Sequence, residues 1–368
     1  MSDFAKTRAA FLNGVQSGLQ PGAQLYVSHS GEVLIDEAFG QARVGVGMQG
    51  ESLMLWFSAG KPITAVAIGQ LVERGRLDWE MGVAEVIPEF AAHGKETVTI
   101  HHLLTHTAGL RPAEALDTAL GWDERVARIC ALPLEPEWIP GQRAGYHVSG
   151  TWHLLGEIIR RISGQSLDSF VRENIFRPLG ARSSGLVLSN EEVSTHENRI
   201  ALVYDTSGGT PPPKQEWNSL DGLTRCVPGG SARGPVRELG RFYESLRRGG
   251  ENILRSETVQ AMISRQRAGM FDETFQFRMD CGLGFILNSN HGGVQMPYGY
   301  GRHAARETFG HSGNQSSCAF CDPHRELVVA WACNGLPGER AHQQRQRAIN
   351  NAIYEDLGLA TLAGAGGN

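Results

Sequence analysis

The sequence predicts an α+β fold in which a sheet is built from both ends of the chain and a mostly helical domain is inserted between them. Strand-like runs occur near the start, at residues 23–29 and 32–38, and again near the end, at residues 317–320 and 327–333. Between about residue 77 and residue 180, apolar residues recur with helical spacing instead. Strand-rich ends around a helical middle favour one sheet domain assembled from both ends.

The first predicted elements are a helix and a hairpin. The first eight residues are typical of the start of an amphipathic helix, and the turn at residues 30–31, Ser-Gly, separates two strand-like runs. The next predicted helix extends from Ser58 to Arg74, and Gly75 offers a stop signal. Pro62 fits this helix because it falls in the first turn, where proline is tolerated.

The helical middle has one particularly clear element, from Thr151 to Ile162, which Gly164 should end. Ser166 is expected to cap the next helix, which should end before Pro178. Clusters of glycine, proline and serine predict loops, and a polar helix is expected near the end of the chain. These segments are residues 207–213 and 288–301 for the loops and residues 340–357 for the helix.

These elements divide the chain into two predicted domains. Residues 1–65 and 225–368 would form the sheet-containing domain, and residues 66–224 the mostly helical domain. A chain of 368 residues with 41% hydrophobic and 20% charged residues is long enough for one large core or two coupled cores.

Charge and composition exclude several functional classes. The formal net charge is −5 and no block of lysine or arginine stands out, so we expect no nucleic-acid partner and favour a small neutral or weakly polar substrate. No apolar run has the length of a signal peptide or of a membrane span, so no membrane partner is expected. Six scattered cysteines predict reduced thiols in a cytoplasmic protein.

The strongest chemical signal is Ser58-Ala59-Gly60-Lys61 at the start of a predicted helix. Helix positions i and i+3 lie on one face, so the lysine amine can approach the serine hydroxyl. Serine becomes a good nucleophile when a neighbouring base removes its proton, and lysine serves as that base when burial or positive neighbours lower its pKa. The helix N-terminus adds N–H groups that suit a developing oxyanion. By itself, however, Ser-x-x-Lys occurs by chance in many proteins.

Four further segments follow this motif in order. They are the run from Thr99 to Leu110 (TIHHLLTHTAGL), Tyr146-His147-Val148, Gly229-Gly230 and His311-Ser312-Gly313. In content and order, the chain resembles the β-lactamase-related serine hydrolases, which include class C β-lactamases, penicillin-binding proteins and carboxylesterases, over about residues 20–335. In that family the motifs are Ser-x-x-Lys, Tyr-x-Asn, and Lys-Thr-Gly or a variant such as His-x-Gly.

The resemblance implies a β-lactamase-like fold and a set of site residues. The fold would be an antiparallel sheet flanked by helices, with the inserted helical domain and an active site between the two domains. Ser58 would be the nucleophile, and Lys61 and Tyr146 would share a proton network that activates it and later serves the leaving group. The backbone N–H groups of Ser58 and Asn314 would form the oxyanion hole. The implied substrate-binding residues are Val148, His311, Ser312 and Gly313, and no cofactor or metal ion is expected.

Two departures from the family pattern favour the esterase branch. Val148 stands where the second motif has an asparagine, so an amide side chain that could bind substrate amides is missing. His311 stands where the third motif has a lysine, so a fixed positive charge becomes a group that is mostly neutral near pH 7. Since β-lactams and D-alanyl peptides carry both an amide and a carboxylate, the changes favour esters. Gly313 would leave room for the substrate at the strand edge.

Other interpretations of these residues stay open. The same catalytic unit could serve an amidase, a D-aminopeptidase, a β-lactamase or an acyltransferase, because a fold does not determine the acyl group or its acceptor. A catalytically silent binding module is more remote, because it has no chemical need for the serine, the lysine and the tyrosine together. His102 and His106 could bind a metal ion, but no His-Glu-x-x-His pattern supports them. Cys318 and Cys321 have Cys-x-x-Cys spacing, yet three positions apart on a strand they would face opposite sides.

Overall fold

A computed structural model describes residues 3–115, 120–208 and 212–360. Thirteen strands occur within these ranges: β1 Gly22–His29, β2 Glu32–Arg43, β3 Val46–Gly47, β4 Met54–Leu55, β5 Tyr204–Asp205, β6 Arg233–Gly234, β7 Arg267–Asp272, β8 Phe277–Cys281, β9 Ile286–Leu287, β10 Phe309–Gly313, β11 Ser317–Asp322, β12 Leu327–Cys333 and β13 Gly335–Leu336.

Nine of these strands form the central sheet, in the order β3-β2-β1-β12-β11-β10-β9-β8-β7. Every neighbouring pair is antiparallel. The first three strands and the last six come from opposite ends of the described chain, and they meet where β1 pairs with β12. The predicted antiparallel sheet built from both ends is therefore confirmed. The other four strands form two short pairs, β4 with β6 and β5 with β13.

The described helices surround this sheet. They are α1 Ala5–Gln16, α2 Lys61–Glu73, α3 Val83–Val86, α4 Ile100–Leu104, α5 Trp122–Ala131, α6 Gly150–Ser163, α7 Leu167–Val171, α8 Asn190–Thr195, α9 Gln215–Asn218, α10 Leu220–Thr224, α11 Val236–Arg247, α12 Ser256–Ile263 and α13 Glu339–Asp356. Gly164 ends α6 with a φ of 73°, and the Ser166 hydroxyl caps α7, as predicted. Within the described residues, none of the helices is both long and apolar enough to cross a membrane.

The predicted helix from Ser58 to Arg74 begins differently from the prediction. Its first turn, Phe57–Gly60, is a 3₁₀ turn, and the α-helix starts at Lys61. Pro62 gives the physical reason, because it lacks the N–H that would reach the Ser58 carbonyl in an α-helix. The Lys61 N–H bonds to the Ser58 carbonyl instead, which closes the tighter turn.

The sheet separates two hydrophobic clusters. Along β12, Leu327, Val329, Trp331 and Cys333 face the cluster beneath α1 and α13, while Val328, Ala330 and Ala332 face the larger cluster that contains α2, α6 and α11. This alternation follows from the two-residue period of a strand. Cys318 and Cys321 likewise belong to different clusters, which confirms that they face opposite sides.

The larger cluster also joins the two predicted domains. It contains sheet residues such as Val328 and Ala330 together with α6 residues such as Ile158. The two parts of the chain therefore share one continuous core, and the boundaries at residues 65/66 and 224/225 stay a prediction. The loop predicted at residues 288–301 is confirmed, with one short 3₁₀ turn at Asn290–Gly292. The loop predicted at residues 207–213 lies partly outside the described residues.

Candidate active site

Ser58 and Lys61 lie together at the start of α2. The Lys61 amine is 3.0 Å from the Ser58 hydroxyl oxygen. The lysine side chain is fully buried, whereas the serine remains 9% exposed and lines a large cavity. The i, i+3 spacing of the motif therefore brings the two groups into hydrogen-bond contact across the 3₁₀ turn.

Two backbone carbonyls hold the Lys61 amine from other parts of the chain. The amine donates to the Val148 carbonyl at 2.6 Å and to the Gly229 carbonyl at 2.8 Å. A side chain at Gly229 would put a Cβ atom 2.8 Å from the amine and 2.9 Å from the Trp152 ring. This position therefore needs glycine because the backbone lies so close to the lysine.

The pattern of donors and acceptors suits a neutral lysine. A carbonyl oxygen only accepts hydrogen bonds, so the two carbonyls can take both N–H groups of a neutral amine. The lone pair of such an amine can accept a proton from the Ser58 hydroxyl, whose oxygen lies 3.0 Å away. The arrangement can therefore transfer a proton from Ser58 to Lys61 without breaking either carbonyl contact.

The turn that carries Ser58 is strained and supported from behind. Phe57 has a φ of 48°, a left-handed conformation that is uncommon for a bulky residue and is often found near functional sites. The Ser317 hydroxyl donates to the Trp56 carbonyl at 2.6 Å and anchors the start of the turn.

Gly313 also packs against the turn that carries Ser58. A Cβ atom on Gly313 would lie 2.2 Å from the Trp56 carbonyl oxygen and 3.0 Å from Phe57 Cβ. Strand β10 thus needs glycine here in order to pack against the turn that carries Ser58, and the expected role of Gly313 at the substrate stays a prediction.

Tyr146 lies next to this pair in a buried aromatic setting. Its ring centre is 5.3 Å from the Lys61 amine, 4.6 Å from the His106 ring and 4.8 Å from the Phe275 ring. Tyr146 lines the same cavity as Ser58. The structure thus brings together the serine, the lysine and the tyrosine singled out in the sequence.

Two residues that the sequence analysis missed support the backbone of Tyr146, one directly and the other through the first. Asp272, at the end of β7, accepts the Tyr146 N–H at 3.0 Å, and its other carboxylate oxygen accepts from Arg267 at 3.0 Å. Both side chains of this ion pair are 1% exposed. No local motif marks them, and the sequence analysis predicted no strand at residues 267–272.

Two neutral histidines support the same segment. The His147 N–H donates to His106 Nδ1 at 3.0 Å, and the Leu110 N–H donates to His147 Nε2 at 2.8 Å. Burial lowers the pKa of His147 to about 3 and holds the pKa of His106 well below its usual value. The histidines of the run from Thr99 to Leu110 therefore include an acceptor that positions the chain around Tyr146.

One ring nitrogen of each histidine that was considered as a metal ligand accepts a backbone N–H. His106 Nδ1 is occupied by the backbone, and His102 Nδ1 accepts the Thr99 N–H at 3.2 Å. Across residues 3–115, 120–208 and 212–360, no three histidine, cysteine or acidic side chains are grouped as metal ligands.

His311 is a neutral group on the cavity wall. Its ring is 5.9 Å from the Tyr146 ring, and burial lowers the pKa of His311 to about 3. Its Nδ1 lies 2.7 Å from the Ser312 carbonyl, which can only accept, so Nδ1 carries the proton. Among the described residues, none bonds to the buried Nε2 of His311. This position therefore lacks the fixed positive charge of the lysine in the family motif.

The cavity has a volume of about 1010 Å³ and contains most of the predicted site residues. Those that line it are Ser58, Tyr146, Val148, His311, Ser312 and Asn314. The Ser312 hydroxyl is already engaged, since it donates to the Tyr298 carbonyl and accepts from Gln346. Lys61 and Gly313 lie behind this lining. The Val148 side chain is 50% exposed, so an apolar group faces the cavity where the family pattern has an amide.

Comparison with known proteins gives consistent matches. A model of the Beta-lactamase family matches residues 8–353. Esterase EstB of Burkholderia gladioli is 33% identical over 239 residues, which are 59% of this chain and 58% of that esterase, so this match spans less than two thirds of its length. Penicillin-binding protein 4 of Amycolatopsis lactamdurans is 31% identical over 326 residues, which cover 86% of this chain and 81% of that protein.

A solved structure agrees with these matches in both fold and extent. The crystal structure of a family VIII carboxylesterase has a TM-score of 0.80 and 27% identity, and the match covers 97% of this chain and 98% of that one. The β-lactamase-like fold and the family resemblance predicted from the motifs are therefore confirmed. The chain belongs to the Beta-lactamase family and is a serine hydrolase.

Proposed function

We propose that this serine hydrolase is a carboxylesterase that forms an acyl-enzyme on Ser58. The observation that carries the proposal is the Lys61 amine, which lies 3.0 Å from the Ser58 hydroxyl and also donates to two backbone carbonyls. A buried lysine held in this way can accept the serine proton as the serine attacks a carbonyl carbon.

The proposed reaction has two half-reactions. Ser58 Oγ attacks the ester carbonyl, its proton moves to the Lys61 amine, and the backbone N–H groups of Ser58 and Asn314 stabilise the oxyanion. The ester C–O bond then breaks, and the Lys61–Tyr146 network returns a proton to the leaving alcohol. In the second half-reaction, water loses a proton to the same network as it attacks the acyl-enzyme, and Ser58 regains its hydrogen.

The wall of the cavity supports an ester rather than a β-lactam or a peptide. Val148 presents an apolar, half-exposed side chain, and His311 is neutral, so neither can select a substrate amide or a carboxylate in the way that an asparagine and a lysine would. The names of an esterase and a carboxylesterase among the similar proteins support the same choice. The penicillin-binding relative makes β-lactam or amide acylation the alternative.

The test combines labelling with turnover. A fluorophosphonate probe should modify a peptide that contains Ser58, and Ser58→Ala should abolish the labelling. We expect kcat/KM for p-nitrophenyl acetate or butyrate to exceed that for nitrocefin, with Ser58→Ala as the blank. If nitrocefin is the better substrate by about tenfold or more, which is about 1.4 kcal/mol of transition-state preference, the β-lactamase interpretation replaces the esterase.

The remaining assignments are also proposals. We propose a small-molecule ester as the partner, bound between the sheet domain and the helical domain, and we place the protein in the cytoplasm. The six cysteines support this compartment, since none of them forms a disulfide among the described residues.

A further inference from the structure

The tip of the β7–β8 hairpin holds Tyr146 at both of its backbone groups. Asp272 Oδ1 accepts the Tyr146 N–H at 3.0 Å, and the Thr274 hydroxyl donates to the Tyr146 carbonyl at 3.0 Å. The N–H and the carbonyl of one residue flank its Cα atom. A residue gripped at both groups can therefore move its ring only by side-chain rotation.

The carboxylate of Asp272 also shapes the tip itself. Its Oδ1 accepts the N–H groups of Thr274 and Phe275, each at 3.0 Å. The same oxygen thus sets the conformation of the hairpin tip and the position of Tyr146. Because the Phe275 ring packs 4.8 Å from the Tyr146 ring, the tip limits the ring as well as the backbone.

Arg267 connects this carboxylate to the other side of the tyrosine. It donates to Asp272 Oδ2 at 3.0 Å and to the Thr105 carbonyl at 3.1 Å. Thr105 precedes His106, whose ring lies 4.6 Å from that of Tyr146. A fully buried ion pair thus joins the β7–β8 hairpin to the Tyr146 segment on one side and to the Thr105–His106 segment on the other.

We propose that Asp272 is a positioning residue that sets the place of the Tyr146 phenol relative to Lys61. This inference rests on the proposed function, because it takes Tyr146 to be part of the proton network. The described residues that line the cavity do not include Asp272. It therefore acts through the tyrosine rather than on the substrate.

The same hairpin supplies a matched control. Asp280 on β8 is 2% exposed, accepts from Arg265 at 2.8 Å and accepts the Gly269 N–H at 2.7 Å. It is thus a second buried carboxylate with an arginine partner and a backbone donor. Its hydrogen bonds stay within the hairpin and its neighbouring loops and do not include the Tyr146 segment.

The experiment compares Asp272→Asn with Asp280→Asn in ester hydrolysis. Asparagine places an NH₂ or a weaker acceptor opposite Arg267 and Tyr146, so the tyrosine should shift. We expect Asp272→Asn to lower kcat about 100-fold with little change in KM, because a displacement of about 1 Å can cost that much. Asp280→Asn should keep kcat within about threefold of the wild type. It should lower the melting temperature by about as much as Asp272→Asn does. Fluorophosphonate titration of Ser58 gives the active fraction of each variant.

A double mutant separates positioning from general damage. If Asp272 acts through Tyr146, then Asp272→Asn should lower kcat very little further in a Tyr146→Phe background, because the two residues serve one function. Thr274→Val is a nearly isosteric change at a residue that also lines the cavity. It removes the hydrogen bond to the Tyr146 carbonyl and should lower kcat by about tenfold. This variant also tests the inference if Asp272→Asn does not fold.

Three results would overturn the inference. They are an unchanged kcat in Asp272→Asn or in Thr274→Val, equal losses in the two aspartate variants, and a full additional loss in the Tyr146→Phe background. Failure of the proposed function looks different, because the wild-type protein would then show neither ester turnover nor labelling at Ser58.

Discussion

Among the described residues, two lysines are fully buried, and different groups surround their amines. Lys95 donates to three backbone carbonyls, those of Ala92, Cys130 and Leu132, at 2.6 to 2.8 Å. Lys61 donates to two carbonyls, and its amine lies 3.0 Å from the Ser58 hydroxyl oxygen. Each amine also lies 5.2 to 5.3 Å from the centre of an aromatic ring.

In the proposed mechanism, burial alone does not make a lysine reactive. Three carbonyls need three N–H donors, so the setting of Lys95 is complete only when the amine is protonated. Two carbonyls and a hydroxyl are satisfied equally by a neutral amine, because the hydroxyl can donate in return. In the proposed mechanism, the contact with the Ser58 hydroxyl lets Lys61 exchange a proton, whereas Lys95 ties loops together.

The largest expected effect on kcat comes from removing Lys61, and removal of Lys95 is the matched comparison. Lys61→Ala should lower kcat for ester hydrolysis by about 10³-fold or more, because it removes the proposed base, and adding Tyr146→Phe should lower it little further. Lys95→Ala should lower the melting temperature, since three buried carbonyls lose their donor, but kcat per active site should stay within about threefold. Equal losses of kcat in the two variants would show that Lys61 is only structural.

A smaller effect should follow from crowding Lys61 without removing it. A Cβ atom at Gly229 would lie 2.8 Å from the Lys61 amine, whereas one at Gly230 would lie 3.4 Å from Val227 and 3.7 Å from Trp217, which is ordinary contact. We expect Gly229→Ala to lower kcat by about 10- to 100-fold, because the amine must move away from Ser58. Gly230→Ala, measured in the same assay, should be close to the wild type. Matching rates for the two variants would contradict the role of the close backbone approach.

The smallest effect concerns acid stability near Lys61. Burial lowers the pKa of His147, His153 and His311 to about 3, whereas each imidazole titrates near 6.5 in the unfolded chain. Between pH 6.5 and about pH 3, the unfolded chain binds these protons and the folded protein does not. The stabilisation that depends on neutral histidines is therefore complete above pH 6.5 and is lost as the pH falls. Each such proton costs about 1.4 kcal/mol of unfolding free energy per pH unit.

Urea unfolding between pH 7.5 and pH 4 measures this loss. His147→Gln is the informative variant, because an amide oxygen can still accept the Leu110 N–H but does not titrate. We expect the pH dependence of the unfolding free energy to shrink by about one proton in this variant. An unchanged pH dependence would mean that His147 is already protonated in the folded protein.

The parts of the fold that could be predicted from sequence are those set by neighbouring residues. The turn at residues 30–31, the glycine stop at Gly164 and the Ser58–Lys61 contact each depend on residues a few positions apart. The 3₁₀ start of α2 was missed even though its cause, Pro62, is also local. The missing N–H of proline decides which carbonyl bonds are available, and periodicity alone does not show this.

The supports of the site could not be predicted, because they cross the chain. Asp272 is 126 positions from Tyr146, and Gly229 is 168 positions from Lys61. A buried aspartate and a glycine carry no sign of which segment they will contact. The resemblance placed Gly229 in order along the chain, but only the structure shows that its carbonyl binds the lysine.

The pairing of β1 with β12 has a consequence for synthesis on the ribosome. Strand β1 can form its hairpin with β2 early, but its other edge has no partner until residues 327–333 have been made. The Ser58 turn also waits for its anchor, since Ser317 is made late. A nascent or shortened chain thus exposes an unpaired edge of apolar residues, which favours aggregation.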